Sequence, residues 1–449
     1  MNTEVIILAA GKGTRMVSDL PKPLHPLMGK PIIHYVLSAV KSLGENPPII
    51  VVGHGGEEIQ DVLGDKARFV IQADLLGTGH AVQQAESALR GHSGLVMVVY
   101  GDMPLVRERT LQELLETGEK HTGPLTILTV IEEDPRGFGR VVRDAAGQIK
   151  AIVEEADASP EQLEITELNA GMYCFQAEWL WESLNKLELS PKGEYYLTDL
   201  VGLAVEEGQS VASVVVEDPR ELLGINNRIH LAEASRIIQG RINREWMLSG
   251  VSIIDPESTY IDPEVQIGQD TVILPNTYLQ GKTTIGKGCR IGPGTRIFNS
   301  QVGGRCEIEF SVLEESQLED DVDIGPFSHL RKGAHLASGV HVGNFGEIKD
   351  SYLGSGTKMG HFSYVGNAKV GKDVNIGAGT ITCNYDGEKK HQTTIRDGVF
   401  IGSDSMLVAP VEIGENASTG AGSVVTKDVP PDTVVVGIPA RQIKKKDHQ

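Results

Sequence analysis

Two patterns of hydrophobic and polar positions divide the chain. Up to about residue 225, short apolar runs alternate with segments of helical periodicity. Val5–Ala10, Ile49–Val52 and Leu95–Tyr100 are continuous apolar runs that read as strands buried on both faces. Between the first two, Ile32, Ile33, Val36, Leu37, Val40 and Leu43 recur at three- and four-residue spacing, which predicts an amphipathic helix stopped by Gly44. Alternation of this kind predicts a mostly parallel sheet with helices on its faces, an α/β domain. Leu231, Ala234, Ile238 and Ile242 then predict one helix over 227–249, stopped by Gly250 and read as a rigid connector.

From Val251 the period becomes six. Ile285, Ile291 and Ile297 form one series, Leu318, Ile324, Leu330, Leu336 and Val342 a second, and Ile401, Leu407, Ile413, Thr419 and Val425 a third. Four residues after the aliphatic position sits a small one, as at Cys289, Thr295, Ser328, Ala334, Thr357, Thr380, Ser405 and Ala417. Two positional rules holding together predict a parallel β-helix: three short strands per coil, an aliphatic interior, and small residues where the corner crowds. Cys289 and Cys306 fall in the small inward slot and are assigned to packing. The register breaks between Thr382 and Ile395, where the polar stretch Cys383–His391 must leave the coil as a loop. The domains so defined are 1–226, a helical linker 227–250, and 251–449.

Composition sharpens this picture. The 52 glycines among 449 residues fit a chain made of corners, and an aromatic fraction of 5% leaves the cores to aliphatic side chains. A formal net charge of -20 disfavours nucleic acid as a partner but permits a local basic site for a small phosphorylated ligand. Four scattered cysteines have neither disulfide density nor zinc spacing. No signal peptide and no apolar run of about 20 residues is present, so a soluble, cytoplasmic protein without a membrane partner is expected.

Chemistry gathers at two places. Leu8-Ala9-Ala10-Gly11-Lys12-Gly13-Thr14-Arg15-Met16 follows a buried strand, and Pro21-Lys22-Pro23 comes soon after. Glycines there bring backbone N–H groups to an anion, and Lys12, Arg15 and Lys22 can surround a polyphosphate. The loop is neither a Walker A motif nor a complete dinucleotide fingerprint. Tyr100-Gly101-Asp102 ends another buried strand, where open α/β sheets bind ligands, and a carboxylate there suits Mg²⁺. In the repeat region, Met359 and Val365 take the interior positions, so His361 points outward. The stretch Asn344-Phe345-Gly346-Glu347-Ile348-Lys349 lies about one 18-residue coil earlier, which makes Lys349 a candidate stacked neighbour of His361.

These motifs resemble the bifunctional N-acetylglucosamine-1-phosphate uridylyltransferases/glucosamine-1-phosphate N-acetyltransferases over almost the whole chain. The resemblance implies a Rossmann-like nucleotidyltransferase domain followed by a left-handed parallel β-helix of hexapeptide repeats, assembled as a homotrimer. It implies that Leu8, Ala9, Ala10, Gly11 and Lys22 hold UTP, that Gln72, Gly77 and Thr78 read its base, and that Gly139, Glu154 and Asn169 contact N-acetylglucosamine-1-phosphate. Asp102 and Asn226 would ligate Mg²⁺, with Arg15 and Lys22 stabilising charge during transfer. In the β-helix, His361 would be the general base for glucosamine-1-phosphate, Arg331 and Lys349 would hold its phosphate, and Tyr364, Asn375, Asn384 and Tyr385 would orient sugar and base. Ala378, Ser403 and Ala421 would line the path of the co-substrate acetyl-CoA. The family's C-terminal arginine has no aligned counterpart, since Arg441 is displaced. The rival readings are another nucleoside-diphosphate-sugar pyrophosphorylase with a non-catalytic β-helix, and a binding scaffold. His361 with the Asn384-Tyr385 loop opposes the first, and Lys22 with Asp102 opposes the second.

Overall fold

The structure, a computed structural model, describes residues 2–91 and 94–445. Residues 1, 92–93 and 446–449, within the domains expected from sequence, lie outside the described residues. Contacts divide the chain into two compact units, Met1–Ile237 and Ile238–Gln449.

The first unit is built on a nine-stranded sheet. Its main order is Val211–Val215, Leu125–Ile131, Glu167–Gln176, Leu95–Tyr100, Thr3–Ala9, Ile49–Val52, Arg68–Ile71. Thr3–Ala9 is buried along its whole length, as a strand covered on both faces must be. It pairs in parallel with Ile49–Val52 on one side and with Leu95–Tyr100 on the other. The winding therefore reverses between Thr3–Ala9 and Leu95–Tyr100. With Leu8 opposite Tyr100, the residues that follow both strands open at one sheet edge, the usual ligand crevice of such folds.

The sheet is mixed rather than mostly parallel. Glu167–Gln176 runs antiparallel to both its neighbours, and a hairpin of Arg140–Arg143 and Ile149–Val153 attaches to its start. The reason lies in the connection: this strand is entered from a hairpin, not through a crossover helix that would return it in parallel. The first helix, Ile32–Val40, also ends short of Gly44. Leu43 closes a further turn onto the Val40 carbonyl. Gly44 is required by proximity instead, because a Cβ there would lie 2.9 Å from the Thr3 carbonyl oxygen.

The helix Arg228–Leu248 is divided between the units. Its later part belongs to the β-helix. Gln239 and Asn243 donate to the carbonyls of Pro256 and Thr259 at 2.8–3.0 Å, while Ile242 and Trp246 pack on the aliphatic core. These amides satisfy carbonyls that no earlier coil can reach.

Beyond it the short strands stack in parallel into three ladders, one per face of the coil. Of these strands only the last among the described residues, Arg441–Lys445, runs antiparallel to its neighbour, Thr433–Val436. The six-residue series is interior throughout: Ile291, Ile297, Ile324, Leu330, Leu336, Val342, Ile401 and Ile413 are fully buried. The small slot also does chemistry that volume alone does not require. Hydroxyls there donate to corner carbonyls, as Thr283 Oγ1 to Gln280, Ser405 Oγ to Gly402 and Ser423 Oγ to Gly420, at 2.6–2.7 Å. Several corners need a left-handed residue, and Asn276, Asn299, Asp373 and Asn416 supply it. The coil leaves register after Ile381–Cys383 and regains it at Thr393–Ile395, which pairs with Ala368–Val370.

Candidate active sites

At the crevice of the sheet, residues far apart in sequence converge. The Gly-rich loop folds onto Lys22: Gly13 has φ 61°, and a Cβ there would lie 2.8 Å from Lys22 Cβ. Gly53 lets the neighbouring loop approach, since a Cβ there would lie 2.5 Å from the Ala10 carbonyl oxygen. The Lys22 ammonium forms an ion pair with Asp102 Oδ2 and lies 3.4 Å from Asn226 Oδ1. Arg15 donates to the same Asn226 oxygen at 3.0 Å. A cavity of about 520 Å³ opens there, lined by Leu8, Ala9, Ala10, Gly11, Arg15, Lys22, Gln72, Gly77, Thr78, Asp102 and Asn226 among others. Gln72 is 4% exposed, and its Nε2 donates to the Gly77 carbonyl at 3.1 Å and meets His80 Nδ1 at 3.1 Å.

A second cavity of about 700 Å³ shares Thr78, Tyr100, Asp102, Glu194 and Asn226 with the first. Its further walls include Gly139, Glu154, Asn169, Tyr173, Tyr196 and Thr198. Glu154 Oε1 accepts from Thr198 Oγ1 at 3.0 Å. Asn169 is held at both ends, donating from Nδ2 to Tyr173 Oη at 2.8 Å and accepting the Gly171 N–H at 3.1 Å. This fixed carboxamide sits at an irregularity in its strand, where pairing with Leu125–Ile131 shifts between Asn169 and Tyr173. Burial first, and then the charges of Glu154 and Asp102, hold the Tyr100 hydroxyl far above its ordinary pKa, so it stays a neutral donor. Burial also raises the Asp199 carboxyl, with Glu154 and Asp157 adding repulsion.

The donor set suits one kind of metal. Among the described residues no three His, Cys, Asp or Glu side chains cluster as a self-sufficient site. Asp102 and Asn226 offer one carboxylate and one amide oxygen around a single point, marked by the Lys22 ammonium. That fits a hard divalent cation completed by water and substrate phosphates.

On the β-helix the register fixes which site residues stack. His361 lies two residues past Met359, which pairs with Val342, so the residue one coil before it is Asn344. In the other direction, the pairing of Lys358 with Asn375 sets His361 beside Ala378. The same corner continues through Ser403 and Ala421, by the pairs Ile376–Ile401 and Ile401–Thr419. His361 is exposed, and it heads a column formed by the expected acetyl-CoA residues.

Lys349 is not its stacked neighbour. Lys349 pairs with Gly366, at the opposite end of the strand Ser363–Gly366. The twelve residues from Lys349 to His361 are only part of a coil, which here takes seventeen from Val342 to Met359. At that opposite end Tyr364 and Asn384 converge, since a Cβ on Gly366 would lie 2.2 Å from Tyr364 Oη and 2.9 Å from Asn384 Nδ2. Asn384 is buried and donates to Asn367 Oδ1 at 2.7 Å, whereas Tyr385 is exposed in the loop. Arg331 pairs with Glu347 at 2.8 Å. The amine of Lys349 is held below its ordinary pKa by Lys390 first and then Arg331, so three cations share this end. Asn375 stands on a different face, in the ladder of Lys358 and Phe400.

Sequence reasoning missed Tyr100, Glu194, Tyr196, Thr198 and Lys390. Tyr100 was in view as the residue before Gly101-Asp102. The others carry no motif, and Lys390 enters only because the loop folds back toward Lys349.

Fold and sites together define a fusion of a nucleotidyl transferase with a hexapeptide-repeat transferase. Residues 4–246 match the family model described as Nucleotidyl transferase, and residues 264–299 and 392–427 match Bacterial transferase hexapeptide (six repeats), whose coil is the left-handed β-helix. The "Bifunctional protein GlmU" of Heliobacterium modesticaldum is 49% identical over 441 residues, covering 98% of this chain and 96% of its own length. That of Pelobacter propionicus is 48% identical over 440 residues, covering 97% and 95%. That of Streptococcus agalactiae serotype V is 44% identical over 449 residues, covering 100% and 98%. The chain belongs to the GlmU family of bifunctional enzymes, and joins a uridylyltransferase to an N-acetyltransferase. Its nucleotidyl transfer takes a divalent metal, and its substrates are of the nucleotide-sugar and acetyl-CoA classes. No helix among the described residues is long and apolar enough to cross a membrane.

Proposed function

We propose that the β-helix acetylates glucosamine-1-phosphate with acetyl-CoA, and that the first unit then transfers UMP from UTP to the resulting N-acetylglucosamine-1-phosphate, releasing pyrophosphate, in the cytoplasm. The observation that carries the uridylyl assignment is the pair of cavities meeting at Asp102 and Asn226. Leu8–Gly11 and Lys22 line the smaller one as a polyphosphate and nucleoside cradle, with Gln72, Gly77 and Thr78 toward the base. Gly139, Glu154 and Asn169 line the larger one for the amino sugar. Asp102 and Asn226 would hold Mg²⁺, which when bound supplies charge neutralisation at the phosphates. Arg15 and Lys22 add donors for the leaving pyrophosphate. The sugar phosphate attacks the α-phosphorus directly, so no covalent enzyme intermediate is required.

In the β-helix, His361 takes a proton from the substrate amine as it attacks the thioester. The strand Ser363–Gly366 lies between His361 and the end where the Lys349, Arg331 and Lys390 cations gather. Amine and phosphate sit on adjacent carbons of this sugar, so the long Lys349 and Arg331 side chains would reach back along the strand to hold the phosphate while the amine meets the imidazole. Tyr364, Asn384 and Tyr385 border the ring, and Ala378, Ser403 and Ala421 leave a shallow path for acetyl-CoA. Asn375, on another face, joins this site if a second copy of the chain packs alongside. The exposed column Phe310, Phe327, Phe345 and Phe362 gives such copies an apolar contact, which supports a homotrimer. Incubation with UTP, glucosamine-1-phosphate and acetyl-CoA tests the assignment. UDP-N-acetylglucosamine should form only when all three and Mg²⁺ are present. Formation of UDP-glucosamine instead would place it among other pyrophosphorylases.

A further inference from the structure

Lys22 occupies the position that a metal needs. Its ammonium contacts Asp102 Oδ2 and lies near Asn226 Oδ1. These are the two oxygens proposed to hold the divalent cation, so the role inferred for Lys22 rests on that proposal. Arg15 draws on the same Asn226 oxygen. A divalent cation and an ammonium cannot share this point, because they repel and compete for the same lone pairs. The ion pair is sheltered, with side-chain exposures of 14% for Lys22 and 21% for Asp102, so water does not readily replace it.

The lysine also has somewhere else to go. Its backbone is set in a short 3-10 turn, Lys22–Leu24, that follows Pro21 and contains Pro23, while its four-carbon stem has enough rotatable bonds to re-aim the ammonium. Lys22 lines the smaller cavity together with the backbone of Ala9, Ala10 and Gly11, where a polyphosphate would lie. A phosphate is a stronger attraction for the ammonium than one shared carboxylate.

We propose that Lys22 is a resident cation, closing the metal position in the nucleotide-free protein and moving to the polyphosphate when a nucleotide binds. Metal and nucleotide then enter with positive coupling. By linkage, each raises the affinity for the other by the same factor. Free metal ions are thereby kept off the protein until there is a phosphate for them to bridge.

The test is Mn²⁺ binding to the full-length protein without nucleotide, read by electron paramagnetic resonance, for wild type, Lys22→Met, Lys22→Arg and Lys22→Met/Asp102→Asn. Circular dichroism and thermal unfolding of the same samples report folding. Lys22→Met should bind Mn²⁺ at least about fivefold more tightly than wild type, the lower range of measured couplings. Lys22→Arg, which keeps the charge, should stay weak. Equal or weaker Mn²⁺ affinity in Lys22→Met overturns the inference. The double variant addresses the assignment itself. If it binds Mn²⁺ as tightly as Lys22→Met alone, Asp102 is not a metal ligand and both readings fall. If it loses the gain, Asp102 stands as ligand whatever Lys22 does.

Discussion

His361 and Ala378 occupy the same corner of successive coils, side by side in the stack. The proposed general base thus shares a column with the small residues proposed for acetyl-CoA, and not with the lysine proposed for the sugar phosphate. His361→Ala should lower acetyl transfer by about 10²–10⁴-fold, the usual cost of a lost general base. Uridylyl transfer to N-acetylglucosamine-1-phosphate should be unchanged. Near wild-type acetylation by the variant would make His361 a mere surface histidine.

Asp102→Ala should do the reverse. On the proposed role of Asp102 as a metal ligand, its loss removes several kcal/mol of charge stabilisation during phosphoryl transfer. Pyrophosphate release from UTP should fall to background while acetyl transfer by the same protein persists. Loss of both activities in a folded variant would contradict this division.

Gly53→Ala tests the approach of the two loops. The new methyl would meet the Ala10 carbonyl oxygen at 2.5 Å, with backbone on both sides and little room to yield. Such overpacking costs about 1–3 kcal/mol. Displacement of Ala10 and Gly11 should appear as a raised KM for UTP, with the KM for acetyl-CoA unaltered. An unaltered KM for UTP would mean that the loop backbone does not hold the nucleotide.

The cations at the far end of the strand Ser363–Gly366 predict a pH effect. Lys349 must carry its charge to hold a phosphate, and Lys390 beside it depresses its pKa. The charge is therefore lost at lower pH than for a free lysine, and kcat/KM for glucosamine-1-phosphate should fall on the alkaline side. Lys390→Ala removes the like charge, which raises the Lys349 pKa. Relative to wild type, that alkaline fall should move to higher pH, although kcat/KM is lower throughout for want of one cation. A fall that stays put would show that Lys349 is not the titrating group.

The repeat was legible in sequence because the interior of a β-helix admits one side chain per corner. Ile291, Ile324 and Ile401 therefore declare both the fold and their own burial. Asp102 and the Leu8–Met16 loop were legible for a related reason, since each directly follows a buried strand. Position along the coil was harder. A count of about eighteen residues suggested Lys349 under His361, but the stack at that level runs Asn344, His361, Ala378. The direction of Glu167–Gln176 was illegible because its apolar run says nothing about the hairpin that feeds it. Tyr196 and Thr198 reach the larger cavity from an irregular segment whose spacing carries no period.

Mixing the two single variants tests the central claim that one chain carries two separable transfers. Neither Asp102→Ala nor His361→Ala alone should make UDP-N-acetylglucosamine from glucosamine-1-phosphate, acetyl-CoA and UTP. Combined in one vessel they should make it, with N-acetylglucosamine-1-phosphate passing from the first protein to the second through solution. Product from either variant alone, or none from the mixture of folded proteins, would contradict the account.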